Sequence, residues 1–166
     1  MPITYLNRIA GRTKQVLASI ASAGAADAFK LVATGANGKL DPTLMPDGIG
    51  ADALVMTASE AINAGAIVNI HAGGVRNADA DAEGREAHGF VNAAIANGAT
   101  GTVYFEGVIS GLAALTRGSR YYMSEAAGAV TLVPVAGAGK VDQAIGVAIS
   151  TTEISFEIGM PITLAA

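Results

Sequence analysis

The sequence predicts a mainly β protein: a small β-sandwich or β-barrel of jelly-roll type, preceded by an N-terminal arm that contains a helix. Three observations support this fold class. About eight short apolar runs follow residue 52, Gly, Asn and Asp turns separate them at fairly regular intervals, and no long helical pattern interrupts them. We therefore expect a helical arm at residues 1–28, an extended connector at 29–52 and a β body at 53–166.

The arm is predicted to form a helix over residues 5–22. Gly11 costs about 1 kcal/mol relative to Ala inside a helix, and the stretch from Ser22 to Gly24 provides a stop. We leave open whether this helix packs on its own body or on a neighbouring subunit. The prediction rests on apolar and β-branched side chains at helical spacings of three and four: Leu6, Ile9, Thr13, Val16 and Ile20.

The connector combines a short strand, a turn and an extended segment. We expect a strand at Phe29–Thr34 and a turn at residues 35–38, because Asn-Gly supplies the positive φ angles of a tight turn. Pro42 and Pro46 then argue against a helix in the residues that follow. The connector is therefore expected to lie along a surface.

The body is predicted to consist of short strands joined by tight turns. In the last strand Ile154, Phe156 and Ile158 alternate with polar residues, so they face one way and its two glutamates face the other. Gly128 and the Thr151-Thr152 pair are expected to form hairpin turns. The predicted strands are Ala53–Ala58, Ala66–His71, Gly89–Ile95, Thr102–Val108, Arg120–Met123, Val130–Val133, Gln143–Ser150 and Glu153–Ile158.

The composition favours a component of a larger assembly. Charged residues make up 14% of the 166 residues, well below the roughly 25% of an average domain. Ala (35 residues) and Gly (21 residues) together account for about a third of the chain. Such a surface is adhesive for an isolated monomer. The chain has no cysteine, which excludes disulfides and thiolate metal sites, and we expect neither a signal peptide nor a membrane span.

The charge is distributed unevenly. Residues 1–30 carry four basic residues and one acidic residue, whereas residues 31–166 carry six and thirteen. Four cations without interleaved aromatic residues make a poor nucleic-acid site, so no nucleic acid is expected and the arm is predicted to dock on an acidic protein surface. The predicted partner-contact residues are Tyr5, Leu6, Arg8, Arg12 and Lys14.

No enzyme motif is present, and we predict a protein without catalytic residues or cofactors. Neither His71 nor His88 has metalloprotease spacing, and no serine occupies a nucleophile elbow. The Gly137–Lys140 stretch fails as a phosphate loop, because Pro134 and Val141 stand where the motif needs Gly and Ser or Thr.

We predict no metal site, and the nearest candidate is an acidic loop. Asp79, Asp81 and Glu83 alternate and precede Gly84, as in the first half of a calcium-binding loop. The twelfth position, which should hold a bidentate Glu, is Phe90. A solvated acidic loop is therefore the expected structure.

Several stretches together resemble virion proteins of tailed phages, over residues 29–160. Residues 30–50 look like a connector of that class, with a strand, an Asn-Gly turn and a Leu-Asp-x-x-Leu-x-Pro run. Arg117 is a departure, because the family pattern often has proline there. The similar segments of the body are Glu86–Val91, Thr102–Gly107, Gly111–Met123 and Gln143–Ser150.

The resemblance implies a capsid decoration (cement) protein that binds the outside of the phage head and stabilises contacts between major capsid protein subunits. It implies location on the virion after synthesis in the host cytoplasm, and self-association, with a homotrimer favoured over a dimer as the two alternatives. Similar β modules occur in tail-fibre, head-fibre and baseplate appendage proteins, which is the alternative. A host-glycan-binding module and an enzyme such as a depolymerase rank below both.

Overall fold

The structure is a computed structural model that describes residues 3–45 and 52–165, so residues 46–51 of the predicted connector lie outside it. Strands account for 38% of the described residues and helices for 4%, which confirms the prediction of a mainly β protein. The chain divides into two compact units, residues 1–50 and residues 51–166. We call them the hairpin unit and the body unit.

The hairpin unit begins with a β-hairpin, so the helix predicted over residues 5–22 is wrong. Strand β1 (Thr4–Ile9) pairs antiparallel with strand β2 (Arg12–Leu17). Ala10 and Gly11, which connect them, both have positive φ, 51° and 77°. These angles suit a two-residue type I′ turn and exclude a right-handed helix at this point.

The spacing that suggested a helix has a different cause. Successive residues of a strand point to opposite faces, so Leu6 and Ile9 lie on opposite sides of the hairpin. Val16 pairs with Tyr5 across the hairpin. Apolar residues on both faces of two strands thus produced intervals of three and four by coincidence.

Backbone hydrogen bonds rather than long strands organise the rest of the hairpin unit. Short 3-10 helices span Gly24–Asp27 and Pro42–Leu44. The strand predicted at Phe29–Thr34 is reduced to a single parallel bridge between Val32 and Ser19, closed by two backbone hydrogen bonds.

The body unit contains the remaining strands, and each of the eight predicted regions overlaps at least one. The region predicted at Thr102–Val108 is divided between two strands by a turn, and three strands (β5, β11 and β14) were not predicted. The strands are β3 (Ala53–Thr57), β4 (Ile67–His71), β5 (Gly74–Asn77), β6 (Gly89–Phe90), β7 (Thr100–Tyr104), β8 (Gly107–Ile109), β9 (Arg120–Met123), β10 (Val130–Thr131), β11 (Val141–Asp142), β12 (Ala144–Ala148), β13 (Ile154–Phe156) and β14 (Ile162–Thr163).

Two five-stranded antiparallel sheets form most of the body unit. Sheet I has the order β3-β7-β6-β4-β5, and sheet II has the order β10-β9-β12-β13-β8. Strands β11 and β14 make a separate pair. A parallel bridge between Ala58 and Val75 connects the chain just after β3 to β5, the opposite edge of sheet I.

The apolar core of the body unit lies on both faces of sheet I. Ile67 and Phe90 belong to one cluster, together with residues of sheet II such as Ile154. Their neighbours Val68 and Val91 belong to a second cluster. Because neighbouring residues of an extended chain face opposite ways, β4 contributes to both clusters, and Phe90 of β6 and Val91 directly after it belong to different ones. Short apolar runs without alternation are the sequence pattern that such double burial produces.

Candidate interaction surface

The β1–β2 hairpin has one fully exposed face. The register places Leu6 on the same face as Arg8 and Leu17, because directly paired residues point to the same side. Every residue of this face is exposed, and Leu6 is 73% exposed. We call this set the open face: Thr4, Leu6, Arg8, Thr13, Gln15 and Leu17.

The opposite face is covered in part by the hairpin unit itself. Tyr5 is half-buried, and its hydroxyl accepts a hydrogen bond from the Leu31 N–H at 3.3 Å. Arg12 and Lys14 lie on this face and are exposed. The five predicted contact residues are therefore split between two faces, with Leu6 and Arg8 on the open one.

Three cations surround the hairpin turn. Arg8, Arg12 and Lys14 lie within four residues of it, and no acidic residue precedes Asp27 in the sequence. Within the described part of the chain, none of the three makes a salt bridge, and Asp27 pairs with Lys30 at 2.8 Å. The turn is consequently a region of uncompensated positive charge on both faces, which we call the basic tip.

The hairpin unit has no apolar core among its described residues. Between residues 3 and 45, Ser19 is the one described side chain that is buried. A hairpin without a packed face is marginally stable in water, so this unit needs other contacts. Val16 and Leu44 are partly buried, and ten other large apolar side chains are 40% exposed or more: Ile3, Leu6, Ile9, Leu17, Ile20, Phe29, Leu31, Val32, Leu40 and Met45.

A short loop in this unit holds Phe29 out in solvent. Asp27 accepts hydrogen bonds from the Lys30 ammonium and the Ala23 N–H, and these contacts lower the pKa of Asp27 from 3.8 to about 2. Phe29 is 100% exposed and has a φ of 65°, which is rare for a non-glycine residue. An aromatic ring on a strained, braced loop is typical of a binding residue.

The same unit contains an apolar cleft of about 440 Å³. Ile3, Leu17 and Ile20 provide its large side chains, each about half exposed. No charged side chain lines it; the complete lining is Ile3, Leu17, Ala18, Ile20, Thr34, Gly35 and Ala36.

In the body unit, one serine–histidine pair has the spacing of a catalytic dyad. Ser59 Oγ lies 2.9 Å from Nε2 of His71. However, Nδ1 of His71 accepts a hydrogen bond from the Gly73 N–H at 3.2 Å. The neutral ring then carries its proton on Nε2, donates to Ser59 and has no lone pair there to act as a base. Ser59 in turn donates to the Val75 carbonyl at 3.3 Å, so the pair serves to hold the β4–β5 hairpin.

The acidic loop does not bring its carboxylates together. Asp79 is buried, and its Oδ2 lies 2.6 Å from Nε of Arg85, whereas Glu83 accepts a hydrogen bond from Thr163 at 2.7 Å. Asp81 is exposed, and its backbone N–H donates to Asp79 at 3.3 Å. Over residues 3–45 and 52–165, no group of three or more His, Asp or Glu side chains is placed to hold a metal ion.

A second cleft, of about 560 Å³, lies beside Gln143 in the body unit. Gln143 is buried and fully bonded, since its amide accepts from the Ala87 N–H and donates to the carbonyls of Ala87 and Gly159. His88 lines the cleft but uses Nδ1 to accept from the Ile70 N–H. The lining contains no Phe, Tyr or Trp ring for stacking against a sugar.

No protein-family model, curated protein or solved structure matches this chain. In the described residues, no helix has the length and apolar character needed to cross a membrane.

Reasoning from the sequence missed Phe29 and the cleft. The sequence predicts Phe29 as the first residue of a strand, because Phe-Lys-Leu-Val-Ala-Thr is rich in strand-forming residues. A positive φ at a phenylalanine leaves no signal in the sequence. Ile3, Leu17 and Ile20 come together only because the hairpin reverses the chain, and the helix prediction concealed that reversal.

Proposed function

We propose that this protein is a non-enzymatic decoration (cement) protein of a tailed-phage capsid, which binds the outer surface of the head and stabilises contacts between major capsid protein subunits. One observation carries the proposal: a self-contained β body is joined to a small unit that has no core, a basic tip and an exposed apolar surface. Such a unit gains stability by docking. The tailed-phage assignment itself rests on the sequence resemblance given above.

The basic tip supports an acidic partner. Residues 1–50 carry five basic and three acidic residues, whereas residues 51–166 carry five and eleven. Complementary charge accelerates encounter and selects the partner, and burial of apolar area beside it holds the complex together. We infer that Arg8, Arg12 and Lys14 face acidic residues of the major capsid protein and that Leu6, on the open face, covers an apolar patch next to them.

The body unit is proposed to be the rigid scaffold of the decoration. Its first core cluster draws on both sheets, and the Ala58–Val75 bridge ties the edges of sheet I together. These features support a small sandwich or partly closed barrel. The tautomer of His71 and the divergent carboxylates of Asp79 and Glu83 support a structural rather than a catalytic role for its polar groups.

The proposal is tested by cosedimentation of the full-length protein with phage heads that lack it and, in parallel, with purified tails. We expect saturable binding to heads, heads that resist bursting, and binding that weakens with salt. Binding to tails alone would establish the appendage alternative, and binding to neither would contradict both.

A matched pair of charge reversals locates the contact. Arg8→Glu with Arg12→Glu changes the basic tip, and Arg117→Glu with Arg120→Glu changes two exposed cations of the body unit by the same amount. We expect the first pair to weaken head binding by about tenfold or more and the second to have little effect. Equal loss in both variants would show that net charge, and not the basic tip, governs binding.

A further inference from the structure

We propose that the hairpin units of neighbouring copies interlock, with Phe29 of one copy filling the apolar cleft formed by Ile3, Leu17 and Ile20 of the next. The contact joins two copies of this chain and does not depend on the proposed head binding. It assigns a binding partner to Phe29 and to the apolar cleft, which are both exposed in the hairpin unit.

Phe29 has the properties of a preformed anchor. Its side chain exposes roughly 200 Å² of aromatic surface, and among the residues that the structure describes it is 100% exposed. Asp27 braces the loop that carries it, through the Ala23 N–H and the Lys30 ammonium. A side chain held in its bound position loses little conformational entropy on binding, and buried aromatic anchors dominate interface energies.

The cleft fits this anchor in size and chemistry. A closed cavity of about 150 Å³ already accepts benzene, and this open cleft measures about 440 Å³. Its walls are aliphatic or backbone, with Thr34 the sole side chain that bears a polar group. No charge has to be desolvated when a phenyl ring enters, so the burial of apolar area is not offset by a lost hydration shell.

A second copy offers enough apolar area for a stable contact. Apart from Leu6, the nine other exposed apolar side chains of the hairpin unit offer on the order of 800 Å² together, which is comparable to what one partner buries in a standard interface. Each copy carries both the anchor and the cleft. The contact therefore closes either reciprocally, as a dimer, or head to tail, as a ring.

The interlock leaves the basic tip free. Arg8, Arg12 and Lys14 do not line the cleft. Self-association through Phe29 would thus present several basic tips on one assembly. Simultaneous docking of several weak sites raises the overall affinity by avidity.

The test uses engineered disulfides, which the absence of native cysteine makes unambiguous. Ala28→Cys, next to the anchor, and Ala36→Cys, in the lining of the cleft, are prepared separately so that Phe29 and the large side chains of the cleft are kept, and the two proteins are mixed and oxidised with copper–phenanthroline. We expect the mixture to form a covalent dimer with one subunit of each kind, at a yield several times that of a control in which Val55→Cys, an exposed position of the body unit, replaces Ala36→Cys. Equal yields in the two mixtures would overturn the proposal.

Sedimentation equilibrium of the unmodified chain provides a second, independent measurement. We expect the full-length protein to be a dimer or ring at micromolar concentration, and Phe29→Ala to be a monomer with an unchanged circular dichroism spectrum. A wild-type monomer at about 100 μM, or an unaltered mass for Phe29→Ala, would contradict the interlock. If Phe29→Ala abolished head binding while the wild type remained monomeric, the anchor would belong to the capsid contact instead.

Discussion

The two units of this chain differ in how far they bury their apolar side chains. The body unit buries residues such as Phe90 and Ile154 almost completely, in two clusters on either side of sheet I. The hairpin unit, with a comparable supply of Leu, Ile, Val and Phe, leaves these side chains exposed. About fifty residues without disulfides or metal rarely bury enough area to fold on their own. Exposed apolar surface in so small a unit therefore indicates an interface.

The largest effect expected from this comparison separates Phe90→Ala from Leu6→Ala. Phe90 is buried against Tyr104 and Phe156, with ring centroids 5.5 and 5.1 Å away, so its truncation should cost about 3–5 kcal/mol of unfolding free energy. Leu6 is 73% exposed, and its truncation should change that free energy by about 0.5 kcal/mol or less.

Urea unfolding followed by near-ultraviolet circular dichroism checks this pair. Three of the four tyrosines, Tyr104, Tyr121 and Tyr122, belong to the body unit, so the signal reports mainly on it. Similar losses for the two variants would show that Leu6 is packed in solution and contributes to the stability of the body unit.

A pair of glycines tests how tightly sheet I is closed. Gly74 has a φ of 120°, and an added Cβ would overlap the Thr57 carbonyl oxygen beside the Ala58–Val75 bridge. Gly84 also has a positive φ, 83°, but nothing lies near its Cβ position. We expect Gly74→Ala to cost about 3 kcal/mol and Gly84→Ala about 1 kcal/mol. Melting temperatures that fall equally would mean that the close approach between Gly74 and Thr57 is absent.

A smaller effect is expected at the hairpin turn. Ala10 has a positive φ that Asn adopts more readily, and Asn-Gly is the preferred type I′ pair. Ala10→Asn should stabilise the hairpin by about 0.5–1 kcal/mol, whereas Ala10→Val should destabilise it. Hydrogen exchange of the β1 and β2 amides measures both changes. Destabilisation by Asn would instead support the helix that the sequence first suggested, because Asn is a poorer helix former than Ala.

The subtlest expected change is the acid response of the Phe29 loop. Because the folded-state pKa of Asp27 is about 2 and its ordinary value is 3.8, the contacts to Lys30 and Ala23 persist above pH 4. They should be lost as the pH falls from about 4 towards 2. Nuclear magnetic resonance shifts of the Ala23 amide follow this titration, and Asp27→Asn should remove it. A midpoint near 3.8 would show that the brace does not form.

The strand positions of the body unit were largely predictable from its sequence. Each predicted strand region overlaps an observed strand. An apolar run bounded by Gly and Asn turns marks a buried strand, and this pattern can be recognised without knowing which distant strand it pairs with. Strand β5 was missed, since Gly-Val-Arg-Asn carries little strand signal and is held by pairing with β4. The β11–β14 pair was missed for a similar reason, as its two strands are two residues each and distant in sequence.

The candidate site was predicted less well. Arg8, Arg12 and Lys14 were identified by charge, which does not depend on conformation. The arrangement of these three residues was not predicted. A helix with Gly11 in its interior and a hairpin with Gly11 in its turn place the same residues on different faces. The positive φ of Ala10 excludes the helix and fits the hairpin turn. No sequence pattern predicts a positive φ at an alanine.

The central claim is that the hairpin unit depends on a partner for its order and the body unit does not. Hydrogen exchange of the full-length protein, first as a dilute monomer and then bound to phage heads, tests it most directly. We predict fast exchange of the β1 and β2 amides in the monomer, strong protection of the same amides on heads, and protection of β4, β9 and β12 in both states. Equal protection of β1 and β2 in the free monomer and on heads would contradict the account.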